Sequence, residues 1–296
     1  MTDREAMDQA PTAAAGGAEG GRELRLDPHV HTLASDGIDD VETMIEAAVA
    51  AGLDAIGIAD HERMDAAIAG AAMAEHRGWP IEVIVGEEVS TRGGHLLGLY
   101  MRDRIRPWYS LKDTIARIHE QGGLAIVAHP LAPYPLCASE RSLRKLMDEA
   151  DPIFHPDGLE GFNPTTAGAA LRRWSGRAPA LAQELGLAAT GGSDAHKAAN
   201  VGTTVTIVPE VGTVEESLRR GLAERTARWE GHGYSWRSQL GMFSQQTKKN
   251  LVALKDEING KVRRNGTGRD LGYPGGRDRP VAFDRAAAGL PPEDVS

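Results

Sequence analysis

What this chain lacks narrows its class before any motif is read. Of 296 residues only one, Cys137, is a cysteine, so no internal disulfide can hold the fold. Aromatic residues make up 5 % of the chain, which leaves the core to Ala, Val, Leu and Ile. No apolar run approaches the roughly 20 residues of a membrane span, and the first residues, Met1 to Glu5, carry no basic-then-apolar leader. A cytoplasmic protein with no membrane partner is the expectation. Positive charge is also short: 33 Lys and Arg stand against 42 Asp and Glu, a net charge of −9. A sequence-independent grip on a phosphate backbone comes from many Lys and Arg contacts. Long nucleic acid is therefore not expected as a partner, whereas a small anionic substrate held by metals is compatible with the charge.

The remaining composition, 41 % hydrophobic and 25 % charged, is that of a globular chain large enough for one big domain or two small ones. From Leu24 onward short apolar runs alternate with helical patterns, the mark of strands linked by crossover helices. Strands are expected at Leu24 to Thr32, Ala55 to Asp60, Ile81 to Ser90, His95 to Met101, Leu124 to His129, Gly158 to Phe162 and Ala188 to Ser193, with Thr203 to Val208 a further one. Between them Val41, Met44, Ile45, Ala48 and Val49 recur at helical spacing, as do Leu111, Ile115 and Ile118. Ser110 with Asp113 and Thr213 with Glu216 have the spacing of a capping box and fix two helix starts. The sequence divides into a tail over 1–22, one α/β domain over 23–237, a further helix over 238–258 and a disordered tail over 259–296.

Six of the ten histidines fall at or just beyond the carboxyl ends of these strands, where barrel enzymes keep their chemistry. The first strand ends in Asp27-Pro28-His29-Val30-His31, and residues i and i+2 of a strand share a face, so His29 and His31 can bind one cation side by side. Asp36 follows in a Ser-Asp-Gly turn. The second strand ends in Asp60-His61, with the acid beside the imidazole a candidate orienting partner. The third ends in Glu87-Glu88, which face opposite ways, and Glu88 is the favoured ligand. Gly93-Gly94-His95 opens the fourth strand, Ala128-His129-Pro130 closes the fifth, and Gly191-Gly192-Ser193-Asp194-Ala195-His196 closes the seventh. His76 and His119 on helices and His155 and His232 in loops read as surface residues.

These blocks, HxH with SDG, DH, GxE, AHP and SDAH in that order, resemble the PHP superfamily, named for polymerase and histidinol phosphatase. The likeness runs from about Leu24 to Glu216. It implies a distorted (β/α)7 barrel with two or three divalent cations, Mn, Fe or Zn, at the carboxyl ends of the strands. Carried over residue by residue, it implies the ligands His29, His31, Asp36, His61, Glu88, His95, His129, Asp194 and His196. Glu88 is then the bridge between cations, and Glu88, Asp194 and His196 are the catalytic set. The implied reaction is hydrolysis of a phosphate ester of a small metabolite or nucleotide. Arg92 and Lys197, directly after the third and last blocks, are placed to meet the non-bridging phosphate oxygens. The chain departs from the pattern after Asp60-His61, where Glu62-Arg63-Met64 replaces the usual acid or amide and alters the loop that rims the substrate pocket. A metal-dependent amidohydrolase is the rival enzyme, set apart by the lack of a strand-borne lysine for a carbamate bridge. A non-catalytic metal-binding regulatory domain is the other, and its mark, missing ligands, is absent.

Overall fold

The structure is a computed structural model that describes residues 21–132, 136–166 and 176–234. The helix expected over 238–258 and nearly all of both expected tails lie outside the described residues. Among the described residues nine strands form one sheet: β1 (Glu23–Val30), β2 (Ala55–Ile58), β3 (Glu82–Thr91), β4 (Gly94–Leu99), β5 (Leu124–Val127), β6 (Gly158–Phe162), β7 (Ala188–Gly191), β8 (Thr204–Pro209) and β9 (Arg228–Gly231). Their order is β7-β6-β5-β4-β3-β2-β1-β8-β9.

This sheet curls into the expected distorted barrel. Just beyond β7, Ala195 makes a parallel bridge to Val30 of β1, with the His31 N–H donating to the Ala195 carbonyl at 2.9 Å. The first and seventh strands thereby meet at one mouth. Away from that mouth β8 and β9 fill the gap. The Thr206 hydroxyl of β8 bonds the Gly191 carbonyl at 2.8 Å, and the Phe162 ring of β6 stacks on Trp229 of β9 at 4.7 Å.

β2, β4 and β5 are short, largely apolar runs buried on both faces, as a layer covered by helices requires. Ile56, Ile58, Leu97, Leu99 and Ile126 are fully buried. Helices α1 (Val41–Ala50), α2 (Asp65–Arg77), α3 (Leu111–Glu120), α4 (Glu140–Met147), α5 (Ala178–Leu185) and α6 (Val214–Ala223) connect them. Ser110 caps α3 by accepting the Asp113 N–H, and Thr213 and Glu216 form a complete capping box on α6. Each such cap contributes about 1 kcal/mol. Among the described residues no helix is long and apolar enough to cross a membrane.

Three features differ from the sequence expectation. β4 runs antiparallel to both β3 and β5, because only Arg92 and Gly93 separate it from β3 and a link so short can only reverse the chain. β9 was not expected: its four residues are too few and too polar to show a period, and Trp229, 4 % exposed, anchors it. The strands also stop short of the motif residues. β2 ends at Ile58, β5 at Val127 and β7 at Gly191. His129 (φ 29°) and Asp194 (φ 51°) then sit in left-handed backbone, so Asp194 and His196 are not neighbours on a strand face. The bends turn donors from different strands toward the barrel axis.

Candidate metal centre

All nine residues singled out by the blocks come together at the mouth formed by the carboxyl ends of β1, β2, β3, β5 and β7 and the amino end of β4. His29 and His31 are completely buried, with ring centroids 5.0 Å apart. Glu88 lies at the centre. Its Oε2 is 3.2 Å from His29 Nε2, 3.1 Å from His31 Nε2 and 3.5 Å from His61 Nδ1. Its Oε1 is 2.9 Å from His95 Nδ1 and 3.0 Å from His129 Nε2. Asp194 Oδ1 stands 3.2 Å from His31 Nε2 and 3.6 Å from His29 Nε2. On the outer side Asp36 Oδ2 is 3.1 Å from His196 Nε2 and 3.7 Å from His61 Nε2. The atoms fall into overlapping groups able to hold a cation: His29, His31 and Asp194; His31, His61 and Glu88; Glu88, His95 and His129; and His31, Asp36 and His196.

The donor chemistry fits cations. His29 Nδ1 is 2.8 Å from Glu160 Oε1; with its proton donated there, the opposite nitrogen presents a lone pair. That bare Nε2 faces His31 Nε2 at 3.1 Å and the Glu88 carboxylate. His196 repeats the arrangement, with Nδ1 2.9 Å from the Asp194 carbonyl and Nε2 toward Asp36. His95 Nδ1 makes no hydrogen bond although Glu88 is so close. Lone pair facing lone pair is stable only with positive charge between.

Without metal, that charge is protons. Burial alone would push His29 down, but Glu160, Asp194 and Glu88 outweigh it and hold this imidazole well above its ordinary value. Burial likewise opposes charge on His31, yet the bonds to Asp194 and Glu88 raise it to about 10. Glu88 and Asp194 lie well below the carboxylate range: burial opposes this, and the surrounding imidazoles overcome it. His61 is lowered, first by burial and then by His31 and His95.

Residues 27–154 match the PHP domain family, and residues 172–227 match the family described as PHP-associated. The chain carries a PHP domain followed by a PHP-associated segment. A solved two-domain protein of Bacteroides vulgatus, described as containing a predicted PHP-like metal-dependent phosphoesterase, superposes with a TM-score of 0.57 at 20 % identity, over 81 % of this chain and 73 % of that one. PsfC of Pseudomonas syringae superposes with a TM-score of 0.51 at 19 % identity, over 78 % and 99 %. At these identities the likeness is one of fold. An uncharacterized protein of Methanocaldococcus jannaschii is 28 % identical over 149 residues, 46 % of this chain and 86 % of that protein.

Three buried acids organise the donors: Glu160 and Asp27 are given no role in the sequence reading, and Asp60 has partners other than the one expected. Glu160 of β6 holds His29 through Oε1, while its Oε2 accepts from the His129 backbone N–H at 2.7 Å and from the Asn163 amide at 2.9 Å. Asp60 is not the partner of its neighbour His61. It accepts from the Thr32 N–H at 2.7 Å, the Thr32 hydroxyl at 2.6 Å and the Ser35 hydroxyl, and so pins the turn that carries Asp36. Asp27 accepts from the Ser193 and Gly202 amides, tying β1 to the last block, and burial pushes it up to about 6. The available signal was a lone acid inside an apolar strand, as in Leu159-Glu160-Gly161-Phe162.

Glu87 faces away from the cluster, as expected, with Oε2 accepting from the Ile105 N–H at 2.8 Å. Arg92 is exposed and Lys197 half-buried, and neither belongs to a donor group. The altered loop is well anchored: Arg63 forks onto Asp65, Met64 is buried, and Glu62 accepts from the Ser90 N–H. Of the four histidines read as surface residues, His76 and His232 are exposed. His119 is half-buried and joins the Asp157 carboxylate at 3.0 Å and the Ile153 carbonyl at 2.8 Å. His155 is half-buried, its Nε2 2.9 Å from the Glu149 carbonyl.

Proposed function

We propose that this PHP protein is a metal-dependent hydrolase acting on the phosphate ester of a small molecule, with three divalent cations of the Mn, Fe or Zn type. The observation that carries the reading is the Glu88 carboxylate, whose two oxygens face separate sets of imidazoles, while Asp36 with His31 and His196 forms a further group. His29, His31, Glu88 and Asp194 would hold one cation, Glu88, His95 and His129 a second, and Asp36 and His196, with His61 beside Asp36, a third. Nine donors are too many for one four-coordinate ion. When bound, such cations supply Lewis acidity toward a phosphoryl oxygen and a water acidic enough to ionise near neutral pH.

The residues themselves bind, orient and neutralise. Glu160 keeps the His29 proton on Nδ1 and so aims Nε2 into the site. The Asp194 carbonyl does the same for His196. Asn163 and Thr165 donate to Asp194 Oδ2 at 3.3 and 3.0 Å, leaving Oδ1 for the centre. Arg92 and Lys197 meet the non-bridging phosphate oxygens at the rim, and the net charge of −9 favours a small substrate over long nucleic acid.

The test is a turnover screen of purified protein on phosphomonoesters and diesters, with Mn, Fe and Zn added separately and amides and carboxylic esters as controls. Phosphate release that needs metal and is lost in Asp194→Ala supports the reading. Turnover of the amide or carboxylic ester controls without phosphate release overturns it, and nucleic acid competing below micromolar concentration in 150 mM salt overturns the small substrate.

A further inference from the structure

Tyr234 reaches the block that carries Asp194 and His196 from a part of the chain outside both family matches, residues 27–154 and 172–227. Its hydroxyl donates to the Ser193 carbonyl. The preceding backbone brings it there: β9 ends at Gly231, and the His232 N–H then donates to the Thr203 carbonyl at 3.3 Å. A Cβ on Gly231 would lie 2.7 Å from Thr204 Cα and 2.8 Å from the Thr203 carbonyl oxygen, so glycine lets the two segments run this close. The Thr203 and Asn200 side chains stand within hydrogen-bond reach of the phenol and hold it in place.

Ser193 is thereby fixed on both sides. Its N–H donates to Asp27 Oδ1 at 2.9 Å, and its carbonyl accepts from Tyr234. A peptide unit is planar, so fixing the Ser193 carbonyl also fixes the Asp194 N–H and with it the rotation about the Asp194 N–Cα bond. That rotation is the strained one: φ is 51°, a left-handed value that a residue with a side chain keeps where its surroundings impose it. In this conformation Asp194 Oδ1 stands 3.2 Å from His31 Nε2, and Oδ2 accepts from Asn163 and Thr165. Burial, followed by the nearby Asp194 carboxylate, opposes ionisation of the phenol, so Tyr234 keeps the proton it donates.

We propose that Tyr234 is a positioning residue of the metal centre, which aims the Asp194 carboxylate by holding the plane of the Ser193–Asp194 peptide. It acts through the backbone and not as a ligand. The donor group concerned is His29, His31 and Asp194, so the inference rests on the reading of Asp194 as a metal ligand.

Tyr234→Phe removes the hydroxyl and keeps the ring. Metal-free protein is titrated with cobalt(II), whose visible absorption reports ligand geometry. The variant should bind cobalt about tenfold more weakly, the lower end for loss of a group that orients a ligand, and with an altered spectrum. Trp229→Phe, at a buried aromatic of β9, is the control for a lesion of the fold alone: it should lower stability in urea and leave cobalt affinity and spectrum as in the wild type. Hydrogen exchange of residues 192–196 in the metal-free proteins gives a second readout that needs no metal. Exchange there should be about tenfold faster in Tyr234→Phe, with β4 and β5 unchanged, since a lost anchor opens its own segment first. Faster local exchange together with weaker cobalt binding supports the role. If the wild type takes up no cobalt the hydrolase reading fails, and faster exchange in the variant still supports the hold of Tyr234 on Asp194. Exchange equal to the wild type, cobalt binding unchanged despite faster exchange, or equal weakening of cobalt binding in Trp229→Phe overturns it.

Discussion

Glu160 touches no substrate in this arrangement, yet it holds His29 through one oxygen and the His129 backbone through the other. Glu160→Gln keeps the volume and can still accept from His29, but loses the charge that fixes the tautomer. Removing partners of this kind costs about 10- to 100-fold in metal affinity or activity, and metal titration of the variant reads it. A variant that binds metal like the wild type would reduce Glu160 to packing. The protons of the metal-free cluster give a second expectation. His31 lies at about 10, with His29 and His129 also well above the ordinary imidazole value. Divalent metal must expel those protons, so affinity rises with pH between 6 and 9. Calorimetry in buffers of different ionisation enthalpy should show proton release at pH 7.5. At this scale the donors were legible because His and acids at strand ends are rare and patterned. Their partners were not, because Glu160 meets His29 across 131 positions of sequence.

The element that delivers Asp194 and His196 depends on Gly192. A Cβ there would lie 2.6 Å from both Glu160 Oε1 and His29 Cβ. Gly192→Ala must push apart the end of β7 and the first ligand, and the expected result is lowered metal content together with a stability loss of about 1–3 kcal/mol, measured by elemental analysis and urea unfolding. From α3, His119 reaches the segment before β6, joining the Asp157 carboxylate and the Ile153 carbonyl, while Asp157 also accepts from the Ala125 N–H of β5 at 2.6 Å. Burial opposes charge on His119, but Asp157 outweighs it and raises the group above 6.5. A raised histidine contributes its full stabilisation below the unfolded value of 6.5 and loses it as pH rises through the folded value. His119→Gln should therefore destabilise by about 1 kcal/mol more at pH 6 than at pH 9. Equal losses at the two values would mean the imidazole acts only as a neutral spacer. α3 itself was legible from Leu111, Ile115 and Ile118 with the Ser110 cap, whereas β9 was hidden by having four residues.

Across the molecule the cluster draws on six strands and the loops behind them, so metal binding and barrel closure are one equilibrium. A ligand at about 1,000 times its Kd adds about 4 kcal/mol to unfolding. Removing metal with a chelator should lower the melting temperature by several degrees and restoring Mn or Zn should recover it. An unchanged melting temperature after verified metal loss would show that protons alone hold the nine donors together.

What the sequence determined by itself is local or periodic: the β/α alternation, the helix starts at Ser110 and Thr213, and the donor types at the carboxyl ends of strands. Hydrophobic period, capping and strand-end placement are properties of neighbouring residues, so they survive without the fold. Tertiary structure decided the rest. It folded β4 back between β3 and β5, closed the mouth with Val30 against Ala195, and bent His129 and Asp194 out of their strands. It also passed over Asp60 as the partner of His61 and set Glu160 behind His29 instead. These choices depend on which distant segments are brought within about 3 Å, a hydrogen-bond length. No spacing along the chain encodes that distance.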